Sequence, residues 1–174
     1  MPITRPSQLQ DVIGITAIYA HHVLVGTGTF ELEPPSLAEM ESRRSDVLAR
    51  GLPYLVAADG MQVLGFAYCN WFKPRPAYRF SAEDSIYITP SAQGHGMGRA
   101  LLIELAAQAE RAGVRKLIAV IGDSSNAGSI AVHRSVGFTP VGILKSCGWK
   151  FDQWQDVVLM DLPLGLSDTS APAR

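Results

Sequence analysis

The sequence predicts one α+β domain built around a mixed sheet, and three observations carry that reading. Apolar runs of strand length, at 54–58, 63–68, 85–89 and 116–122, stand between turn residues. Stretches of helical period precede the first run and separate the last two. One such stretch links the runs at 85–89 and 116–122 into a strand–helix–strand crossover, a unit that is right-handed in nearly all proteins. The 174 residues are 47% apolar and 18% charged, an ordinary globular balance with enough chain for one good-sized core.

Bulk properties exclude several classes. Net charge is −1 at pH 7, which gives no support to a nucleic-acid or membrane-surface binder. The start, MPITRPSQLQD, lacks the basic-then-apolar pattern of a signal peptide, and no apolar run has bilayer length. A cytoplasmic protein with neither nucleic-acid nor membrane partners is expected. Cys69 and Cys147 lie far apart without C-x-x-C spacing and are expected as buried, reduced thiols.

The elements follow in order. A short strand is expected at Ile3–Thr4. Ser7 is placed to cap a helix over about 8–24, with Leu9, Val12, Ile13, Thr16, Ala17 and Ala20 on one face. Ser36-Leu-Ala-Glu39 is a capping box after Pro34-Pro35, opening a helix that ends before Gly51-Leu-Pro53. Tyr54–Ala58, the turn dipeptide Asp59-Gly60 and Val63–Tyr68 form an antiparallel hairpin. Phe72–Ser81, with two prolines and three basic residues, reads as an irregular loop. Ser85–Thr89 is a strand stopped by Pro90.

A helix follows with a stripe of Leu102, Leu105, Ala106 and Ala109, while Glu104, Gln108 and Arg111 face out and Gly113 ends it. Lys116–Gly122 suits a strand buried on both faces. A short helix near 126–136 precedes strands at Val141–Lys150 and Asp156–Leu162. The domain is therefore expected over 1–163, with a disordered tail over 164–174.

The segment Gln93-Gly-His-Gly-Met-Gly98 sits between the crossover's first strand and its helix. Three glycines in five residues leave backbone N–H groups unobstructed at a helix N-terminus, which makes an anion site suited to phosphate. GxxxxGK[ST] is absent, and Arg99 stands where the third glycine of GxGxxG belongs. ATP-type and dinucleotide-type loops are therefore disfavoured.

The spacing does resemble the Q/R-x-x-G-x-G/A motif of the GNAT acetyltransferases, whose loop amides hold the pyrophosphate of coenzyme A. Asn126-Ala-Gly-Ser129 through Gly137-Phe138 resembles that family's later N-x-x-S…GF segment. Four further stretches, Thr29–Pro34, Phe72–Tyr78, Ala82–Tyr87 and Gly148–Val157, resemble the phosphinothricin and methionine sulfoximine N-acetyltransferases. The likeness covers about residues 3–163. It implies a mixed, mostly antiparallel sheet of about six or seven strands flanked by about four helices. It also implies acetyl transfer from acetyl-CoA to the α-amine of a small amino acid or analogue, in a homodimer.

Under that resemblance, Ile86, Tyr87, Ile88, Gln93, Gly94, His95, Gly96, Met97, Gly98, Arg99, Asn126 and Ser129 contact the coenzyme. Phe30, Lys73, Arg75, Tyr78 and Glu83 surround the acceptor, with arginine shaped to grip a carboxylate or phosphinate. An α-amine is mainly protonated at neutral pH, so a general base is required. Glu83 matches the base proposed in those enzymes, with the adjacent Asp84 an open alternative, since strand alternation turns only one toward the site. His133 stands four residues before Gly137, where many GNAT members carry a tyrosine, and is read as a proton carrier. Adjacent His21 and His22 cannot share a helix face, so no metal is expected. Other amine acceptors (a protein N-terminus, a polyamine, an aminoglycoside) and a CoA-binding regulatory module remain open alternatives.

Overall fold

A computed structural model describes residues 2–172. It contains a seven-stranded sheet in the order β1-β2-β3-β4-β5-β7-β6. The strands are β1 (Ile3–Pro6), β2 (Tyr54–Asp59), β3 (Gln62–Trp71), β4 (Ser81–Ile88), β5 (Lys116–Gly122), β6 (Thr139–Lys150) and β7 (Gln153–Pro163). Every neighbouring pair is antiparallel except β4–β5, which the helical crossover makes parallel. Four helices flank the sheet: α1 (Val12–Val25), α2 (Leu37–Ala49), α3 (Met97–Arg111) and α4 (Ala127–Val136). The expected architecture is thus present.

Two cores form because successive strand residues point to opposite faces. On one side Leu55, Ala57 and Ala67 pack with Leu101, Leu102 and Leu105 of α3. On the other, Val12, Ile15 and Tyr19 of α1 join Tyr54, Val56 and Phe66. Aromatic rings bind that second layer together, with Tyr54 and Tyr68 stacked at 4.9 Å and Phe66 and Tyr87 at 5.2 Å.

Several local expectations give way. Ser7 does not cap a helix; its hydroxyl accepts from Arg44 Nε at 2.7 Å. A 3-10 turn over Leu9–Asp11 comes first, fixed by Asp11, which accepts from the Gln8 N–H and pairs with Arg5 at 2.7 Å. The buried face of α1 is Val12, Ile15, Ile18, Tyr19 and Val23, whereas Leu9 and Ile13 are exposed. That helix is apolar nearly all round, so periodicity alone could not choose its inner face. β4 begins at Ser81, four residues earlier than expected, and so carries Glu83 and Asp84 within the strand. Cys69 is buried as expected, but Cys147 is exposed, in the register break between Leu144 and Gly148 of edge strand β6. Leu164, just beyond the expected boundary, is buried in the core, and Arg115 Nη1 donates to the Ser167 carbonyl. Residues 173–174 of the expected tail lie outside the described residues.

One close approach positions the site. A methyl group on Gly122, at the end of β5, would lie 2.0 Å from the Thr27 carbonyl oxygen. Gly122→Ala is therefore expected to cost about 1–3 kcal/mol as the 26–30 loop is driven off the strand. Urea unfolding of the variant checks this.

Candidate active site

The site begins where a ladder ends. β4 pairs with β5 only from Ser81↔Lys116 to Asp84↔Ala119, yet β4 continues to Ile88 and β5 to Gly122. Past that rung the two strands part, with no strand between them. The Thr89 N–H donates to Leu64 on β3 at 2.9 Å. By strand alternation the Ile86 and Ile88 N–H groups therefore point into the gap. A cavity of about 800 Å³ opens there.

Above the gap lies the glycine loop. Gly94 and Gly96 have φ of +79° and +77°, the left-handed region that glycine enters without penalty. Gly98 has another purpose: an added Cβ would meet Val132 Cγ2 of α4 at 3.2 Å. Gly96 sits at the N-cap of α3 without a side-chain cap, so first-turn N–H groups face outward. Those amides and the helix dipole form a cradle for phosphate oxygens. The loop is tethered below by Gln93 Nε2, which donates to the Ile88 carbonyl at 3.3 Å. His22 Nε2 donates to the same carbonyl at 2.9 Å. Burial lowers the His22 pKa despite that bond, keeping its ring neutral. Opposite, Asn126 caps α4 by accepting from the Ser129 N–H at 3.2 Å.

The adjacent carboxylates separate. Glu83 faces the aromatic layer with Tyr68 and Tyr87, while Asp84 faces α4. Burial raises the Glu83 pKa, the Asp84 charge raises it further, and Lys73 opposes both. Among the described residues the Glu83 carboxylate has no hydrogen-bond or ion-pair partner, so its lone pairs are available to a substrate proton. Asp84 Oδ2 instead lies 2.8 Å from His133 Nε2, both side chains being almost fully buried. His133 Nδ1 donates to the Ser129 carbonyl at 2.7 Å. Burial alone would lower the histidine pKa, but Asp84 and the carbonyl outweigh it and the net shift is upward.

The 26–30 loop closes the other side. Buried Lys150 donates to the Gly26 and Thr29 carbonyls at 2.7 and 2.8 Å. Burial lowers its pKa, partly offset by Glu31. Tyr19 Oη donates to Glu31 Oε1 at 2.8 Å and lies 3.0 Å from Thr29 Oγ1. The Phe30 ring packs where Gly148 has no side chain; a Cβ there would be 2.5 Å from Phe30 Cε2.

Of the residues singled out by sequence, Phe30, Glu83, Ile86, Tyr87, Ile88, Gln93, Gly94, Gly96, Met97, Gly98, Arg99, Asn126, Ser129 and His133 line one cavity. His95 is exposed and is not in that lining. Nor are Lys73, Arg75 and Tyr78, whose proline-stiffened loop packs on itself, Tyr78 edge-on to Phe72 at 5.9 Å. Only the Lys73 charge reaches Glu83. Sequence reasoning missed Tyr19, His22, Tyr68 and Thr29 as lining residues, because each reads as ordinary core or link. No cluster of metal-ligating side chains is present among the described residues.

Comparison with known proteins agrees with this geometry. The model of the acetyltransferase (GNAT) family matches residues 15–138. The chain is 51% identical over 162 residues to a phosphinothricin N-acetyltransferase of Alcaligenes faecalis, covering 93% of this chain and 82% of that one. It is 34% identical to an L-methionine sulfoximine/L-methionine sulfone acetyltransferase of Pseudomonas aeruginosa, covering 92% and 93%. Among solved structures, a GNAT superfamily phosphinothricin acetyltransferase from Sinorhizobium meliloti in complex with AcCoA superposes with a TM-score of 0.96. That pair shares 42% identity, with coverage of 99% and 94%.

The Lys150 clamp is testable. Lys150→Met keeps the stem and leaves two buried carbonyls without their donor. It is expected to cost about 1–3 kcal/mol and to speed amide exchange in residues 26–30. Urea unfolding and hydrogen-exchange mass spectrometry check both.

Proposed function

The chain belongs to the GNAT acetyltransferase family, and on that premise we propose that it transfers the acetyl group of acetyl-CoA to the α-amine of a small amino acid or analogue. The acceptor class is that of phosphinothricin, methionine sulfoximine and methionine sulfone. The observation that carries this reading is the parted β4–β5 edge, with a coenzyme cradle at one end and the free Glu83 carboxylate beside it.

The residues present fit the donor. The first-turn amides of α3 would hold its phosphates, and the open edge of β4 would offer backbone donors and acceptors to the rest of the coenzyme. Bound there, acetyl-CoA supplies an activated acyl carbon in the gap. The Ile86 or Ile88 N–H is placed to stabilise negative charge developing on the acyl oxygen. Glu83 accepts the amine proton, directly or through one water, as the nitrogen attacks. The new C–N bond replaces the C–S bond, and the departing thiolate takes up a proton from solvent water or the one that Glu83 accepted. Holding amine and thioester in register can contribute roughly 7–11 kcal/mol by itself.

On the acceptor side, Phe30, Tyr19 and Tyr68 wall the site around Glu83. Lys73 and Arg75, which lie outside the cavity lining, remain proposed partners for the acceptor's acidic group. A homodimer is part of the same proposal. Its support is the apolar surface of the β6–β7 hairpin, where Val141, Ile143, Trp149 and Trp154 are each at least half exposed. No helix among the described residues is long and apolar enough to cross a membrane, and the acetyl-CoA requirement fits a cytoplasmic setting.

Two experiments test the reading. Acetyl-CoA is mixed with phosphinothricin, methionine sulfoximine, methionine sulfone, ordinary amino acids, spermidine or an aminoglycoside, and thiol release is followed. Release is expected with the first group; none with any amino-acid analogue would sink the proposal. Glu83→Gln is expected to lower kcat by about 10²–10⁴-fold while leaving acetyl-CoA binding intact. In the unsubstituted protein, kcat/KM falls as pH drops through the raised Glu83 pKa, because protonation removes the base. That acid limb disappears in the variant.

A further inference from the structure

We infer that Asp84 is a positioning residue that holds His133 as a doubly protonated imidazolium and pins α4 to β4 at the apex of the opening. The inference rests on the acetyltransferase reading only for its effect on turnover, since the pair itself is a feature of the fold.

The bonding pattern carries the charge assignment. A backbone carbonyl only accepts, so His133 Nδ1, 2.7 Å from the Ser129 oxygen, bears a proton. Nε2 faces a carboxylate oxygen at 2.8 Å, which also only accepts when ionised. Both ring nitrogens therefore donate, and the ring is a cation. Its place reinforces that state, because His133 lies in the last turn of α4, where the helix dipole favours positive charge. Asp84 depends on the pair in turn. Its Oδ1 is buried with no hydrogen-bond partner among the described residues, so His133 is the only group bonded to the carboxylate. A buried charge left in that position without its counter-ion is strongly disfavoured.

The location gives the pair its task. Asp84↔Ala119 is the last rung of the β4–β5 ladder. The ion pair reaches from that rung to α4, the helix whose Asn126 and Ser129 line the cavity. Other neighbours do not compete for the proton. The Cys69 thiol, in register with Asp84 on β3, is pushed up to about 12 by burial and by Asp84. Glu83 lies on the opposite face of β4, β5 presents Ala119, and Phe138 meets the His133 ring edge-on at 5.0 Å. A ring with both nitrogens engaged and almost no exposure is not free to shuttle a proton. On this inference His133 stays charged through turnover and holds α4 in place, a role different from the proton carrier expected from sequence.

Nitrogen-15 NMR of the full chain labelled at histidine tests this, the His133 signals being assigned by their loss in His133→Gln. In the unsubstituted protein both His133 nitrogens are expected to stay protonated at pH 7, above the ordinary histidine value of about 6.5. In Asp84→Asn the amide donates to Nε2 instead, and the ring is expected to be neutral, protonated only at Nδ1, at pH 7. The variant's kcat/KM for acetyl-CoA is expected to fall about tenfold, while the acid limb from Glu83 persists. A neutral His133 at pH 7 in the unsubstituted protein overturns the inference, as does an unchanged ring in the variant. The NMR result needs no turnover, so a cationic His133 in a protein that releases no thiol would sink the acetyltransferase reading and leave the pair standing.

Discussion

The parting of β4 from β5 is the constraint on which the rest of the molecule depends. Adjacent strands in the middle of a sheet ordinarily satisfy each other's backbone groups along their whole length. Here the ladder stops after four rungs, and both strands continue for three or four more residues. Each buried backbone group left without a partner costs about 1–3 kcal/mol, so the strands would close unless held apart. The surroundings hold them. On one face α3 and α4 meet through Gly98 and Val132. On the other, the 26–30 loop leans on the end of β5, where Gly122 admits the Thr27 carbonyl. Some of the exposed valence is met within the chain: His22 and Gln93 both donate to the Ile88 carbonyl. What remains is presented to a ligand.

The same strand solves a problem of charge. Two consecutive carboxylates at one mouth would repel, and neither would have a defined protonation state. Alternation along β4 turns them to opposite faces of the sheet. Asp84 is buried against an imidazolium, and Glu83 is left unpaired, with burial and the Asp84 charge raising its proton affinity. Two like groups thereby acquire unlike roles from environment alone. Strong pairing suits one to a structural role, and weak solvation suits the other to the base role proposed for it.

The features proposed to hold the donor were legible because local rules write them. Positive φ at positions 94 and 96 and a helix start at 97 leave a glycine spacing that can be read directly. Asn126 announces the start of α4 by the same capping logic. The acceptor half is assembled from α1, the 26–30 loop, β3 and β4, and no short window contains it. Tyr19 could not be picked out because α1 is apolar on nearly every face. Lys150 looked like one more charge on a terminal strand, although it is buried and ties down a loop more than a hundred residues away. Placing Glu83 and Asp84 just before the strand hid which face each would take. Once β4 is extended to Ser81, parity decides it.

This difference between the halves has a consequence for how acceptor choice is set. Contacts made by backbone N–H groups are indifferent to most side-chain changes, provided the glycines and the ladder end are kept. The donor site is therefore insulated from substitutions elsewhere in the cavity. The proposed acceptor wall has no such protection, since Phe30, Tyr19 and Tyr68 would act through ring shape and hydroxyl position. Phe30 is held by the absence of side chains at Gly122 and Gly148 and by a loop that Lys150 fastens. Changing the ring resizes the pocket, whereas changing its supports moves the whole loop. On the proposed function, specificity would be altered at Phe30 while the acetyl donor stays in place, but the glycines and lysine beneath it are fixed by packing.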